Sequence, residues 1–524
     1  MTLNIPSATT SARLATLLCM LVSLLVLAPL RAADEQAFEP FERWYVVEMT
    51  GERVGYAHMT QAQENGEIIS SQRMQITLKR GATAMRIRVA SSFHETPDGT
   101  PLRATANMDL GAMRISQSLT FADDGSRLFI SSQAGREQRE TLDPIEGHWL
   151  PPAAMNRHVQ QQMRQGVERI TVRTLELSAS NEPMDLTLSV LGEEQVQVFG
   201  RVAPAIVWES RVAQFPNIVS REYVDANGHI LKSTAEIMPG MTYTLLAADR
   251  DLALSPVDPP EIVAGLLVQL DAPMHHARHQ RQLTYDIRVR GEVSLDERAL
   301  PSTGYQHVTW LDDRHARVRV DLDATPADDT SFEPVHLAAS TMIDRNDPKI
   351  IQLVEQALGE NHRTMTDVQK AHALRAFVYA YVEAKDLSVG MGSASETART
   401  RQGDCTEHAV LLAAMLRVAG IPSRVATGLM YVDEFIGQRH VLGGHMWTQA
   451  WLADADDQGA PSRGRWIDLD PSLPEAAFDA AHITLGVSAL EQAHMSNEMV
   501  MMARLLGSLD IQVIDNPPVP GDGR

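Results

Sequence analysis

The sequence predicts an α+β protein: one or two antiparallel β-rich domains, then a C-terminal core of helices packed on an antiparallel sheet. Three observations predict it. From about Phe38 to Ala324, short stretches alternate polar and apolar residues between turn signals. At Asn346 the pattern changes to apolar residues at helical spacing behind matching caps, and after Gly420 alternation returns in three further runs.

With 524 residues, 44% of them hydrophobic and 22% charged, the chain is globular and too long for one small domain. The elements fall into a leader over 1–33, a β-rich domain over 38–250 (a curved sheet or half-barrel), a second β-rich segment over 256–335, a core over 345–490, a helix and strand over 491–516, and a tail over 517–524 expected to be disordered. The leader has Arg13, an apolar run from Leu14 to Leu30 and small residues at Ala32 and Ala33. That is a secretory signal, either cleaved near Ala32 or Ala33 or left in place as an anchor, and it predicts export to the periplasm or cell envelope. The net charge of −21 opposes binding to nucleic acid or to anionic lipid, so membrane contact is expected only through an uncleaved leader.

In the first β-rich domain, Met85-Arg86-Ile87-Arg88-Val89 and Asp185 to Val190 alternate as half-buried strands do. Asp98-Gly99, Asp124-Gly125 and Asn227-Gly228 supply residues that tolerate the positive backbone angles of tight hairpins. Pro151 and Pro152 precede a helical interruption around Met155 to Gly166. Ser255 to Pro260, with three prolines, is the best linker candidate. Beyond it, Thr284 to Arg290 and Ala316 to Leu322 alternate strictly, as a small sandwich or a continuation of the first sheet would.

The core opens with Asp347 capping a helix whose first turn holds Pro348, whose apolar face carries Ile350, Ile351, Val354 and Leu358, and which Gly359 ends. Thr366 and Gln369 form a capping box for a second helix through Val382. Asp404 and Glu407 do the same for a third, with an apolar run from Ala409 to Ala419. This third helix carries Cys405 in its first turn, where unpaired amides and the positive end of the helix dipole favour a thiolate. The chain has two cysteines, and Cys19 lies in the leader, so Cys405 has no internal partner in an exported protein. An unpaired thiol in an oxidising compartment calls for an explanation, and catalysis is one.

Strands are expected at Ser423 to Tyr431, at Met446 to Leu452 headed by His445, and at Trp466 to Leu469, which Asp470 ends before Pro471. The order Cys, His, Asp suits a thiol nucleophile, its base and an orienting carboxylate. The runs Gly403-Asp404-Cys405-Thr406-Glu407-His408-Ala409, Leu416 to Val425 with its Gly-Ile-Pro-Ser-Arg turn, Gly444-His445-Met446-Trp447 and Trp466-Ile467-Asp468-Leu469-Asp470-Pro471 together resemble the transglutaminase-like superfamily, its exported bacterial members best. Phe478 to Leu485 adds to that resemblance, which covers about residues 345 to 490.

The resemblance implies a papain-like core in which Cys405 is the nucleophile, His445 the general base and Asp470 the group that orients the imidazole. Asp468 competes with Asp470 on pattern alone, because residues two apart on a strand face the same side; the family's placement of the acid directly before proline favours Asp470. The Cys405 amide is expected to serve the oxyanion. His408 reads as a capping or packing residue, Trp447 and Trp466 as cleft walls or core, and Arg424 as one partner of a structural ion pair. Cys405, His408, His440 and His445 lack the spacing of a zinc site, and no calcium loop is present, so neither metal nor cofactor is expected.

The activity implied is that of a thiol enzyme forming an acyl-enzyme from a peptide or amide carbonyl, resolved by water or by an amine. The partner is a peptide or protein, such as another envelope protein. A non-catalytic envelope module that binds a peptide in the same fold is the alternative, since a fold alone never fixes an activity. The methionines between Ser488 and Ser508 read as the core-facing stripe of a helix, and Leu509 to Asp515 as a last strand.

Overall fold

The computed structural model describes residues 38–515 apart from 81–82, 110–113, 134–135, 216–217, 239–240, 262–266, 291–294, 298, 325–330, 360–362, 385–391, 456–460, 475–477, 491–504 and 506–507. The leader, the Met-rich helix and the tail lie outside the described residues. The chain divides into two compact units, with the boundary between Glu261 and Ile262.

The first unit is built on a fourteen-stranded antiparallel sheet. Strand Phe41–Met49 starts a meander that runs through hairpins to Arg136–Leu142. A second meander runs from Arg169–Thr174 to Met241–Ala248, whose last strand returns beside the first with Trp44 opposite Ala248 and Met49 opposite Tyr243. Gly99, Gly125 and Gly228 all have positive φ at hairpin turns, which their lack of a Cβ permits. Arg127, 3% exposed, donates to the Asn181 carbonyl and to the Glu182 side chain, so a strand near one edge of the sheet meets the segment that leads into a strand near the other edge.

Helix Pro152–Arg164 joins the two meanders. Glu95 has no exposed surface and accepts from the amides of Ala153 and Ala154 at 2.9 Å each. It supplies the acceptor that Pro151 cannot, at the positive end of the helix.

The second unit has three layers around the strands that carry the predicted site. Ser423–Phe435 and Gln438–Ala455 form a long hairpin, flanked by His482–Ser488 on one side and by Pro461–Leu469 and the short Val268–Gln269 on the other. On one face lie helices Pro348–Leu358, Asp367–Tyr381, Ala394–Thr400 and Cys405–Val418, sharing a core with Val425, Met446, Ala450 and Leu469. On the other face lies a four-stranded sheet in the order Gln306–Asp312, His315–Asp321, Gln282–Val289 and Leu509–Asp515. The second β-rich segment is therefore no continuation of the first sheet. Its inward residues Leu283, Tyr285, Ile287, Ala316, Val318 and Val320 pack on Leu429, Tyr431, Leu442 and Ile483, burying an alternating face that would otherwise meet water.

The helices begin where the caps predict. Asp347 accepts from Lys349 N, Thr366 and Gln369 close a reciprocal box, and Asp404 and Glu407 close another. Residues Ala409 to Leu416 are fully buried, as a helix that is apolar all round requires.

In the first unit Glu222, 1% exposed, is pushed from 4.5 to about 8, chiefly by burial, against the opposing effect of Ser233. A raised folded-state value means that this stabilising contribution is complete below 4.5 and is lost as the pH rises through about 8. Glu222→Gln is expected to flatten the fall in melting temperature across that interval in scanning calorimetry; an unaltered pH dependence would refute this assignment.

Candidate active site

Cys405 is the first residue of its helix, and the local sequence leaves little choice about that. Asp404 is extended and accepts from Thr406 N at 2.9 Å, while the Asp404 amide donates to Glu407 Oε2 at 2.9 Å. Glu407 is wholly buried, accepts from Gly392 N at 2.7 Å, and is pushed up to about 8 by burial and by Asp404. A Cβ on Gly403, whose φ is +151°, would lie 2.2 Å from the Glu407 Cβ, so glycine is needed for the chain to turn there. The result places a free, partly exposed thiol beside amides that have no intrahelical acceptor.

His445 lies within strand Gln438–Ala455, opposite Gly428 on the neighbouring strand. A Cβ at Gly428 would fall 1.9 Å from the Ile483 carbonyl oxygen and 3.0 Å from the Trp447 ring. The His445 side chain is 6% exposed, and its Nε2 lies 2.7 Å from Asp470 Oδ2. Since that carboxylate accepts, Nε2 donates and Nδ1 remains as the ring's second nitrogen, while Cys405 lies near enough to raise the ring's affinity for a proton.

Asp470 follows strand Pro461–Leu469 and is itself held from several directions. Oδ1 accepts from the Ser472 amide at 2.8 Å and hydroxyl at 2.7 Å. Arg375, 4% exposed on helix Asp367–Tyr381, donates to the Asp470 carbonyl at 3.1 Å and to that of Leu473 at 3.0 Å. Oδ2 is shared with a second imidazole, His482 Nε2 at 3.3 Å.

These surroundings set the charges. Burial opposes ionisation of Asp470, but His445 and the hydrogen bonds from both histidines outweigh it and hold the carboxyl well below its usual range. Burial likewise pulls His445 down, but Asp470 and Cys405 outweigh it and raise the imidazole to about 9. An imidazole raised to about 9 beside a carboxylate carries a proton at neutral pH and so has one to give.

The other residues singled out by sequence find separate partners. Asp468 turns away from His445, accepting from Trp447 Nε1 and Gln449 Nε2 at 2.8 Å each and from the Tyr305 amide at 3.2 Å. It anchors the Trp447 indole, whose ring lies 6.0 Å from that of His445 at 24°. His408 contacts the Asp404 carbonyl at 2.6 Å, and His440 the Tyr431 hydroxyl at 3.2 Å. Arg424 donates to Gln449 and Thr303 and lies 3.9 Å over the Trp466 ring, with both tryptophans buried. His482, Arg375 and Gln449 carry weight at the site that patterning did not expose; the one signal was the Phe478 to Leu485 run.

Among the described residues, His445, Asp470 and His482 form the group that could hold an ion, with ligand atoms within 4.8 Å of one another. Both imidazoles already face the same carboxylate oxygen at hydrogen-bond distance. An ion would have to displace those contacts.

Residues 354–471 match the family model described as the Transglutaminase-like superfamily, so the second unit carries a transglutaminase-like domain. An uncharacterized protein of Mycobacterium tuberculosis is 24% identical over 159 residues, which is 29% of this chain and 48% of that protein; the chain spans about half the length of the curated relatives it matches. Among solved structures, a β-barrel-like protein of a domain of unknown function from Brucella abortus is 11% identical with a TM-score of 0.32, covering 41% of this chain and 98% of that one. The periplasmic domain of TgpA from Pseudomonas aeruginosa is 17% identical with a TM-score of 0.24, covering 38% and 92%. No helix among the described residues is long and apolar enough to cross a membrane.

Two outcomes are expected. At pH 6, where an ordinary thiol is less than about 1% ionised, Cys405 should react with iodoacetamide at least about tenfold faster in the native protein than in His445→Ala; equal rates would refute the charge pairing. Gly428→Ala should cost about 1–3 kcal/mol in urea denaturation, because strand backbone must move to admit the methyl group.

Proposed function

We propose that the protein is an exported thiol enzyme that forms an acyl-enzyme at Cys405 from the carbonyl of a peptide or amide, then passes the acyl group to water or to an amine. The observation that carries this reading is the placement of one buried imidazole between a helix-start thiol and an ionised carboxylate, with Nε2 at 2.7 Å from Asp470 Oδ2. The motif match over 354–471 supports the same chemistry, and the apolar leader supports export.

In this reading the Cys405 thiolate attacks the carbonyl carbon and the carbonyl π electrons move to oxygen. The Cys405 amide, at the positive end of its helix, is placed to donate to that oxyanion. Collapse breaks the C–N bond as His445 Nδ1 gives its proton to the departing amine, leaving a thioester and a neutral imidazole. An incoming water or amine then loses a proton to Nδ1 as it attacks the thioester, and the thiolate leaves beside a renewed imidazolium. Asp470 keeps Nε2–H oriented through both halves and offsets the positive charge when it is present.

The test is to trap the acyl-enzyme. Incubating the protein with a mixture of synthetic peptides and quenching in acid should give a mass adduct on the intact chain that hydroxylamine removes and Cys405→Ala never shows. A dansylated primary amine in the same incubation then separates transfer from hydrolysis. Absence of any adduct across a broad peptide set, together with an unaltered cellular phenotype in Cys405→Ala, would defeat the proposal.

A further inference from the structure

His482 opens strand His482–Ser488 and is 1% exposed. Both of its ring nitrogens face carboxylates, Nδ1 at 2.9 Å from Asp479 Oδ1 and Nε2 at 3.3 Å from Asp470 Oδ2. An ionised carboxylate only accepts, whereas a neutral imidazole has one donor and one acceptor nitrogen. A neutral ring would turn a lone pair on one of these two acids, and only a proton on each nitrogen satisfies both.

The surroundings keep that charge in place. Asp479, 1% exposed, meets the Arg278 guanidinium at 3.0 Å, and Arg278 also donates to the Tyr431 carbonyl at 2.9 Å. The Phe478 ring lies 4.3 Å from the His482 ring at 32° and the Trp447 ring 5.3 Å from it in a T-shaped contact. Among the described residues, Asp468 and His445 also lie near His482, the latter with ring centroids 5.6 Å apart. Burial pulls His482 down, but Asp479 and Asp470 outweigh it and raise it to about 9. Charges therefore alternate from Arg278 to Asp479, His482, Asp470 and His445.

We infer that His482 is a positioning residue for the thiol chemistry: a fixed cation, clamped by Asp479, that pins the Asp470 carboxylate toward His445 and offsets part of its charge. The inference rests on the reading of Cys405 and His445 as a reacting pair. With Oδ1 taken by Ser472 and Oδ2 shared by two imidazolium donors, the carboxylate has little freedom to rotate. The shared cation also keeps Asp470 from holding the His445 proton too firmly, so that the proton can leave with the amine. Loss of a nearby positive charge raises the pH at which both the thiol and the imidazole give up protons.

The test needs no substrate. The full chain is alkylated with iodoacetamide across pH as the native protein, as His482→Gln, which keeps a donor but no charge, as Asp479→Asn, which removes the clamp, and as His445→Ala. The reactivity profiles of His482→Gln and Asp479→Asn should both move about one pH unit upward. Native-like profiles in both variants, with His445→Ala still slow, would overturn the role of His482 alone. An indifferent His445→Ala would instead overturn the thiol reading. Should either variant fail to fold, nitrogen NMR of the histidine-labelled native protein at neutral pH reads the ring directly. Two protonated nitrogens at His482 support the inference, and a neutral tautomer overturns it.

Discussion

A carboxylate can stay ionised in a protein interior only if cations and donors replace the water it has lost, and Asp470 is where this protein meets that demand. Its oxygens accept from Ser472, His445 and His482, and its main-chain carbonyl is held by Arg375. Each of these groups comes from a different stretch of chain: a helix of the core, the central strand, the turn after Pro471, and the strand His482–Ser488. The His445 ring is consequently fixed by the fold as a whole rather than by its own hairpin.

The layers explain how such a site can be rigid. Helix Cys405–Val418 is enclosed by the other helices on one side and by sheet on the other, with Thr448 donating to the Ala409 carbonyl across that contact. Buried Arg417 ties the far end of the helix to the carbonyls of Ala338, Ser423 and Ala489. The four-stranded sheet covers the opposite face of the central hairpin with apolar side chains. Little of the machinery around the thiol can shift without disturbing close packing on both faces.

The first unit solves a different problem. Its fourteen-stranded sheet joins two meanders where the first and last strands pair, its edges are the short strands Arg136–Leu142 and Arg169–Thr174, and helix Pro152–Arg164 between the meanders is capped by a buried glutamate. Its interior holds carboxyls such as Glu95, which burial pushes up to about 7 against the pull of the Ala153 amide and Arg157.

The sequence by itself determined the elements and the residue types of the candidate site. Hairpin glycines, the three helix caps and the apolar run behind Cys405 act through neighbours a few residues away, so they are legible wherever they occur. The Cys405, His445 and Asp470 motifs were legible for the same reason, each being a short run with its own local geometry. The family resemblance already favoured Asp470 over Asp468, which shares its strand-face pattern, but only the tertiary structure shows what each one meets: His445 for Asp470, and Trp447, Gln449 and the Tyr305 amide for Asp468. Only it placed the strands of 282–321 against the central hairpin rather than in the first sheet, and brought His482, Asp479 and Arg278 behind Asp470. Those choices depend on pairing and charge compensation between segments as much as 200 residues apart, such as Arg278 with Asp479, and no local pattern encodes which distant group will arrive to balance a buried charge.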